Sequence, residues 1–141
     1  MSYEPEDFRG RSRDPSWERE LADWLRSRSE SERLRFILDL LPIHGIALQL
    51  AHKTLTHQDS FKAVLEFGLR EADVSTIRSC LDVTIPRLGF RRFAQILRDH
   101  AEDKPREVEK TLYWLDRYKN EPGYSADLVN GLREAIHVPN R

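Results

Sequence analysis

Apolar residues recur along this chain at intervals of three and four, the spacing that lines one face of an α-helix. Trp17, Leu21, Trp24 and Leu25 follow the rule after Asp14-Pro15, a side-chain cap with proline at the first helical position, and predict a helix over 15–28. Leu34, Ile37, Leu38 and Leu41 follow it after Ser29-Glu30-Ser31-Glu32, a capping box, and Pro42 stops that helix. Ile43, Ile46, Ala47, Leu48, Leu50, Ala51 and Leu55 predict a third helix over 43–56, apolar around so much of its circumference that neighbours must cover it. Asp59 is the expected cap of a fourth, with Phe61, Val64, Leu65 and Leu69 on one face, and Asp73 of a fifth, with Val74, Ile77, Leu81 and Ile85. Pro86 ends or kinks the fifth. A sixth is expected over 87–100 with Phe90, Phe93, Ala94 and Leu97, and a seventh opens at Pro105 with Val108, Leu112 and Leu115. Asn120 to Gly123 form a turn, after which Ser125 caps an eighth carrying Leu128, Val129, Leu132 and Ile136. No segment alternates with a period of two, so no strand is expected. The prediction is an all-α fold of about eight short helices, a compact bundle or a short α-solenoid. Residues 1–13, with mixed charges, Pro5, Gly10 and no period, read as a disordered or loosely ordered arm, and 14–141 as one helical domain.

Pro42-Ile43-His44-Gly45 and Pro86-Arg87-Leu88-Gly89 share a P-x-x-G pattern. The same offset of 44 positions sets Ile37 on Leu81, Leu41 on Ile85, Ile46 on Phe90 and Val64 on Val108. Residues 32–71 and 74–119 then form two three-helix units. A period in the forties with two or three helices resembles HEAT and armadillo repeats in helix lengths alone, without a shared motif. What that resemblance implies is a stacked helical scaffold; it assigns no residue a role. The plainer account is that any set of short helices throws up such matches.

Composition narrows the class. Hydrophobic residues make up 39% and charged residues 33% of 141 positions, rich in charge but with enough apolar material for a core. The 23 basic and 24 acidic residues nearly cancel, so no field over the whole molecule draws in nucleic acid or an anionic membrane. The one cysteine, Cys80, rules out an internal disulfide. The opening residues contain no apolar signal segment. Ile37 to Leu50, the densest apolar run, is interrupted by Asp39, Pro42, His44 and Gln49 and is too short to span a bilayer. The expected setting is cytoplasmic, with no membrane contact.

Few residues suggest chemistry. His44, His52 and His57 are spaced by eight and five, not the three or four that puts two ligands on one helix face, so no metal site is expected. Cys80 falls on or near the apolar face of its helix, away from the N-terminus that would activate a thiol, and reads as structural. No phosphate-binding glycine loop and no hydrolase motif occurs, and no cofactor is expected. Tyr113 lies off the apolar arc, and Tyr124 sits in a Pro-Gly loop.

The exception is a set of arginines. On a helix over 87–100, Arg87, Arg91 and Arg98 fall within about 40° of one another, with Arg92 beside them. Guanidinium groups hold carboxylates and phosphates in bidentate fashion, so these three are the candidate binding residues. The plain alternative is a solvated face paired with local acids such as Glu102, Glu107 or Asp116. The expected function is a non-enzymatic protein-interaction module, a scaffold or adaptor whose partner is another protein. Two alternatives stay open: a nucleic-acid-binding domain using the same arginines, against which the balanced charge stands, and an enzyme built from scattered acids and histidines.

Overall fold

A computed structural model describes residues 2–71 and 74–136, and among these all regular structure is helical. Eight α-helices run in order: α1 (Pro15–Arg26), α2 (Glu30–Leu40), α3 (Ile46–Thr54), α4 (Gln58–Glu71), α5 (Val74–Leu88), α6 (Phe90–His100), α7 (Pro105–Leu112) and α8 (Ala126–Ile136). Short 3-10 turns cover Pro5–Phe8 and Leu115–Tyr118. The all-α expectation holds. Asp73, the expected cap of α5, lies outside the described residues.

The chain divides into two compact units, Met1–Phe61 and Lys62–Arg141, where the sequence suggested one domain from residue 14 onward. In the first, α3 packs on α1 and α2. Its core is Leu21, Leu25, Ile37, Leu40 and Leu50, none more than 1% exposed. The local start signals work as read: Asp14 Oδ1 accepts from Ser16 N at 2.7 Å, and Ser29 Oγ accepts from Glu32 N at 3.2 Å while donating to Glu32 Oε1.

Residues 2–13 do not form the loose arm expected of them. The 3-10 turn delivers Phe8 into the core, fully buried against Trp17 (5.2 Å between ring centroids) and Phe36 (6.4 Å). Tyr3 packs edge-on to Trp24 at 5.3 Å. His44 ties down the rest. Its Nδ1 accepts from Ile46 N at 3.0 Å, so the ring proton sits on Nε2, which donates to Arg11 O at 2.7 Å. One aromatic anchor on a segment without periodicity leaves no amphipathic signature, which is why the sequence reading missed it.

Two side chains of α2 link the helix ends of this unit. Arg33 lies at the C-terminus of α1, donating to Leu25 O (2.8 Å), Arg26 O (2.7 Å) and Arg28 O (2.9 Å), and reaches Thr54 O at the end of α3 (2.7 Å). Helix C-termini carry unpaired carbonyls and partial negative charge, and a guanidinium answers both. Glu30 does the reverse ahead of α4, accepting from Thr56 N (3.0 Å), His57 N (3.1 Å) and Ser60 Oγ (2.6 Å). Burial alone would raise its pKa, but these hydrogen bonds outweigh burial and hold the carboxyl below its ordinary value. Asp59, the expected cap, lies inside the first turn of α4 instead.

In the second unit α6 is central, packing on α5, α7 and α8. Phe90, Phe93, Leu97, Val64, Ile85 and Val108 are fully buried. The expected sixth helix over 87–100 is cut at Gly89, whose φ of 84° lies in a region that L side chains rarely adopt. Its N–H closes the α5 ladder on Ile85 O (2.8 Å), and its carbonyl opens α6 by accepting from Phe93 N (3.0 Å). Pro86 sits within the last turn of α5 and does not end it. The two P-x-x-G segments therefore fold differently: Pro42 lies in the turn between α2 and α3, Pro86 inside a helix. Gly45 has φ of −64°, in contrast to Gly89.

Gly68 marks a close approach of α4 to α5. A Cβ built there would stand 2.8 Å from Cys80 Sγ. Replacing a helical glycine with alanine normally gains about 1 kcal/mol. Here Gly68→Ala is expected to destabilise by about 1–3 kcal/mol, as overpacking does. Urea unfolding of Gly68→Ala alone and with Cys80→Ala checks this. The double variant should be more stable than Gly68→Ala, because the sulfur that the new methyl meets is gone. Equal or greater stability of Gly68→Ala over wild type would refute the contact.

Candidate interaction groove between α6 and α8

The amphipathic spacing of α6 sorts its residues cleanly. Phe90, Phe93, Ala94, Ile96 and Leu97 are buried, and Arg91, Arg92, Gln95, Arg98 and Asp99 are exposed. Where the exposed side of α6 meets α8 there is an open groove of about 410 Å³. Arg91, Gln95 and Arg98 form one wall, Asp127 stands on the other, and Ala94, Leu128, Gly131 and Leu132 contribute the apolar surface between. Ala94 and Leu132 are buried, while Leu128 and Gly131 are partly open. Gly131 lies beside the Arg98 guanidinium: a Cβ there would stand 3.6 Å from Arg98 Nη1, an ordinary contact. Gln95 is fixed by donating to Asp99 Oδ1 at 3.1 Å.

The structure separates the three arginines predicted as one stripe. Arg91 and Arg98 line the groove together. Arg87 belongs to the last turn of α5, across Gly89, and does not share the α6 face. It and Arg92 also have interactions of their own. Among the described residues, Arg91 and Arg98 have neither hydrogen-bond nor ion-pair partners, Glu102, Glu107 and Asp116 included. Two guanidinium charges against one carboxylate leave the groove electropositive, above an apolar floor.

Sequence reasoning missed Gln95, Asp127, Leu128 and Gly131. None of the four stands out in the sequence, because which residues of α8 face α6 is decided by tertiary pairing.

Other chemistry-bearing groups are engaged structurally. The Cys80 thiol is buried and its pKa pushed up to about 12 by desolvation, the opposite of an activated nucleophile. Tyr118 donates to Asp82 Oδ1 at 2.5 Å, and burial together with this bond holds the phenol protonated well past its ordinary range. His100 Nε2 meets Glu66 Oε2 at 2.8 Å, and its Nδ1 lies 4.0 Å from Asp103 Oδ1. Tyr113, 78% exposed, stacks edge-on against Trp114 at 5.2 Å, and the Arg78 guanidinium lies 5.8 Å from the Trp114 ring. In the first unit, Tyr3, Trp24, Phe36, Arg28 and Arg35 border a shallower hollow of about 380 Å³, where Arg28 is paired with Glu32. Among the described residues no three His, Cys, Asp or Glu side chains gather as metal ligands do, and no helix is long and apolar enough to cross a membrane. Compared with protein families, with curated proteins and with solved structures, this chain matches none.

Proposed function

We propose that this protein is a non-enzymatic interaction module that holds an acidic segment of another protein in the groove between α6 and α8. The observation that carries the reading is the pair Arg91 and Arg98, both without partners, above an apolar floor. A polypeptide offers what this groove complements: carboxylates for the guanidiniums, an apolar side chain for Leu128, and N–H groups for the Asp127 carboxylate. Asp127 weighs against a nucleic acid, whose phosphates it would repel. The helices act as scaffold, in the manner the HEAT and armadillo resemblance implies, and the setting is cytoplasmic, in keeping with a lone, unactivated cysteine.

Selection from a random displayed-peptide library tests the reading. Peptides enriched on the wild-type protein should carry acids interspersed with apolar residues. The double variant Arg91→Glu, Arg98→Glu should bind them at least about tenfold more weakly, a change of about 1.4 kcal/mol. Its helix content should be unchanged, since both positions are exposed and such substitutions shift stability by under about 0.5 kcal/mol each. Enriched peptides that bind the double variant equally well would refute the reading. So would an oligonucleotide that binds where no peptide does.

A further inference from the structure

We infer that the occupant of this groove is an amphipathic acidic helix carrying two carboxylates seven residues apart, an inference that rests on the reading above. Arg91 and Arg98 are seven positions apart on α6. At a rise of 1.5 Å and a turn of 100° per residue, their Cα atoms stand about 10.5 Å apart along the axis and within about 20° in rotation. A ligand that engages both must present two acids on one face at that spacing. A helix aligned with α6 does so with acids at i and i+7, which repeat the same rise and rotation. An extended segment does not. Its same-face side chains come at about 6.6 Å or about 13 Å, and the intermediate position, i+3, points to the other face.

The floor suits the same occupant. Leu128 and Gly131 are the partly open residues of the floor and Ala94 and Leu132 are buried, so an incoming helix meets Leu128 as its apolar contact and little bulk at Gly131. A docked helix places apolar residues at i+3 and i+4, between its two acids and over this floor. Asp127, in the first turn of α8, supplies a negative end that suits the unpaired amides or a basic residue at the N-terminus of the incoming helix.

The test uses synthetic alanine-based peptides of about 16 residues, long enough to form helix when stapled. The reference peptide has glutamates seven positions apart with two leucines between them. A second has the same composition with the glutamates four apart. A third keeps the seven spacing but has a proline at its centre. Binding to the full chain is followed by fluorescence anisotropy. The stapled seven-spaced peptide should bind, the four-spaced peptide at least about fivefold more weakly, and the proline peptide at least about tenfold more weakly. Arg91→Gln with Arg98→Gln should abolish the difference between the spacings. If the proline peptide binds as tightly as the stapled one, the helical occupant is overturned while the acidic-segment reading stands. If no acidic peptide binds, or binding ignores both arginines, the inference and the reading fall together. If sedimentation instead shows a dimer dissociated by the double variant, the groove is covered by a second copy of this chain, and the inference is overturned.

Discussion

Phe8→Ala is expected to destabilise the first unit by about 3–5 kcal/mol, the range for emptying a fully buried aromatic site. The ring is the only fully buried side chain of residues 2–13 and contacts Tyr3, Trp17 and Phe36. Arg11 also lies 5.0 Å from its centroid. Because the segment is terminal, the loss has two routes. Either the whole unit melts earlier, or residues 2–13 detach and expose Trp17 and Phe36. Limited trypsin digestion tells them apart. Detachment frees the backbone at Arg9, Arg11 and Arg13, whose side chains are already exposed, for rapid cleavage while thermal melting of the remainder shifts less. A variant with the melting temperature and cleavage rate of the wild type would show that Phe8 does not anchor the segment.

Arg33→Ala is expected to cost about 3 kcal/mol. Four carbonyls lose a charged donor, and such bonds contribute about 1.5–3 kcal/mol singly but do not add in full. Water can reach some of those carbonyls, which keeps the cost below their sum. Arg33→Lys should recover little of it, because one ammonium has three donors and lacks the planar fork that spans the ends of α1 and α3. Arg33→Met keeps most of the stem and separates lost packing from lost hydrogen bonds. Urea denaturation of the three variants decides. A cost below about 1 kcal/mol for Arg33→Ala would mean that solvent replaces the guanidinium.

What the sequence made legible is what is local. Asp14-Pro15 and Ser29 to Glu32 act within a few residues of themselves, and both caps form as their spacing implies. The helices follow from their apolar period for the same reason. The cap ahead of α4 was illegible because its acceptor, Glu30, comes from 26 residues earlier, while Asp59 offered a local decoy. The break at Gly89 was hidden because Phe90, Phe93 and Leu97 keep their spacing regardless of where α6 begins; only the glycine's backbone angle separates Arg87 from Arg91. Half of the groove was similarly out of reach. Arg91 and Arg98 follow from helical geometry, but their opposite wall, Asp127 and Gly131, depends on which helix packs beside α6, and tertiary pairing leaves no periodic trace in α8.

The depth of Cys80 makes the second unit its own reporter. With the thiol pKa pushed up to about 12, a negligible fraction is thiolate at neutral pH, so almost no nucleophile is available to attack a disulfide reagent while α4 and α5 stay closed. Modification then proceeds through opening. Under conditions where reclosing outpaces the reagent, its rate measures the free energy of opening at that one position. The chain carries no other sulfhydryl, so the signal needs no engineered label, and it would register a ligand in the α6–α8 groove as slowed modification only to the extent that occupancy stabilises the unit as a whole.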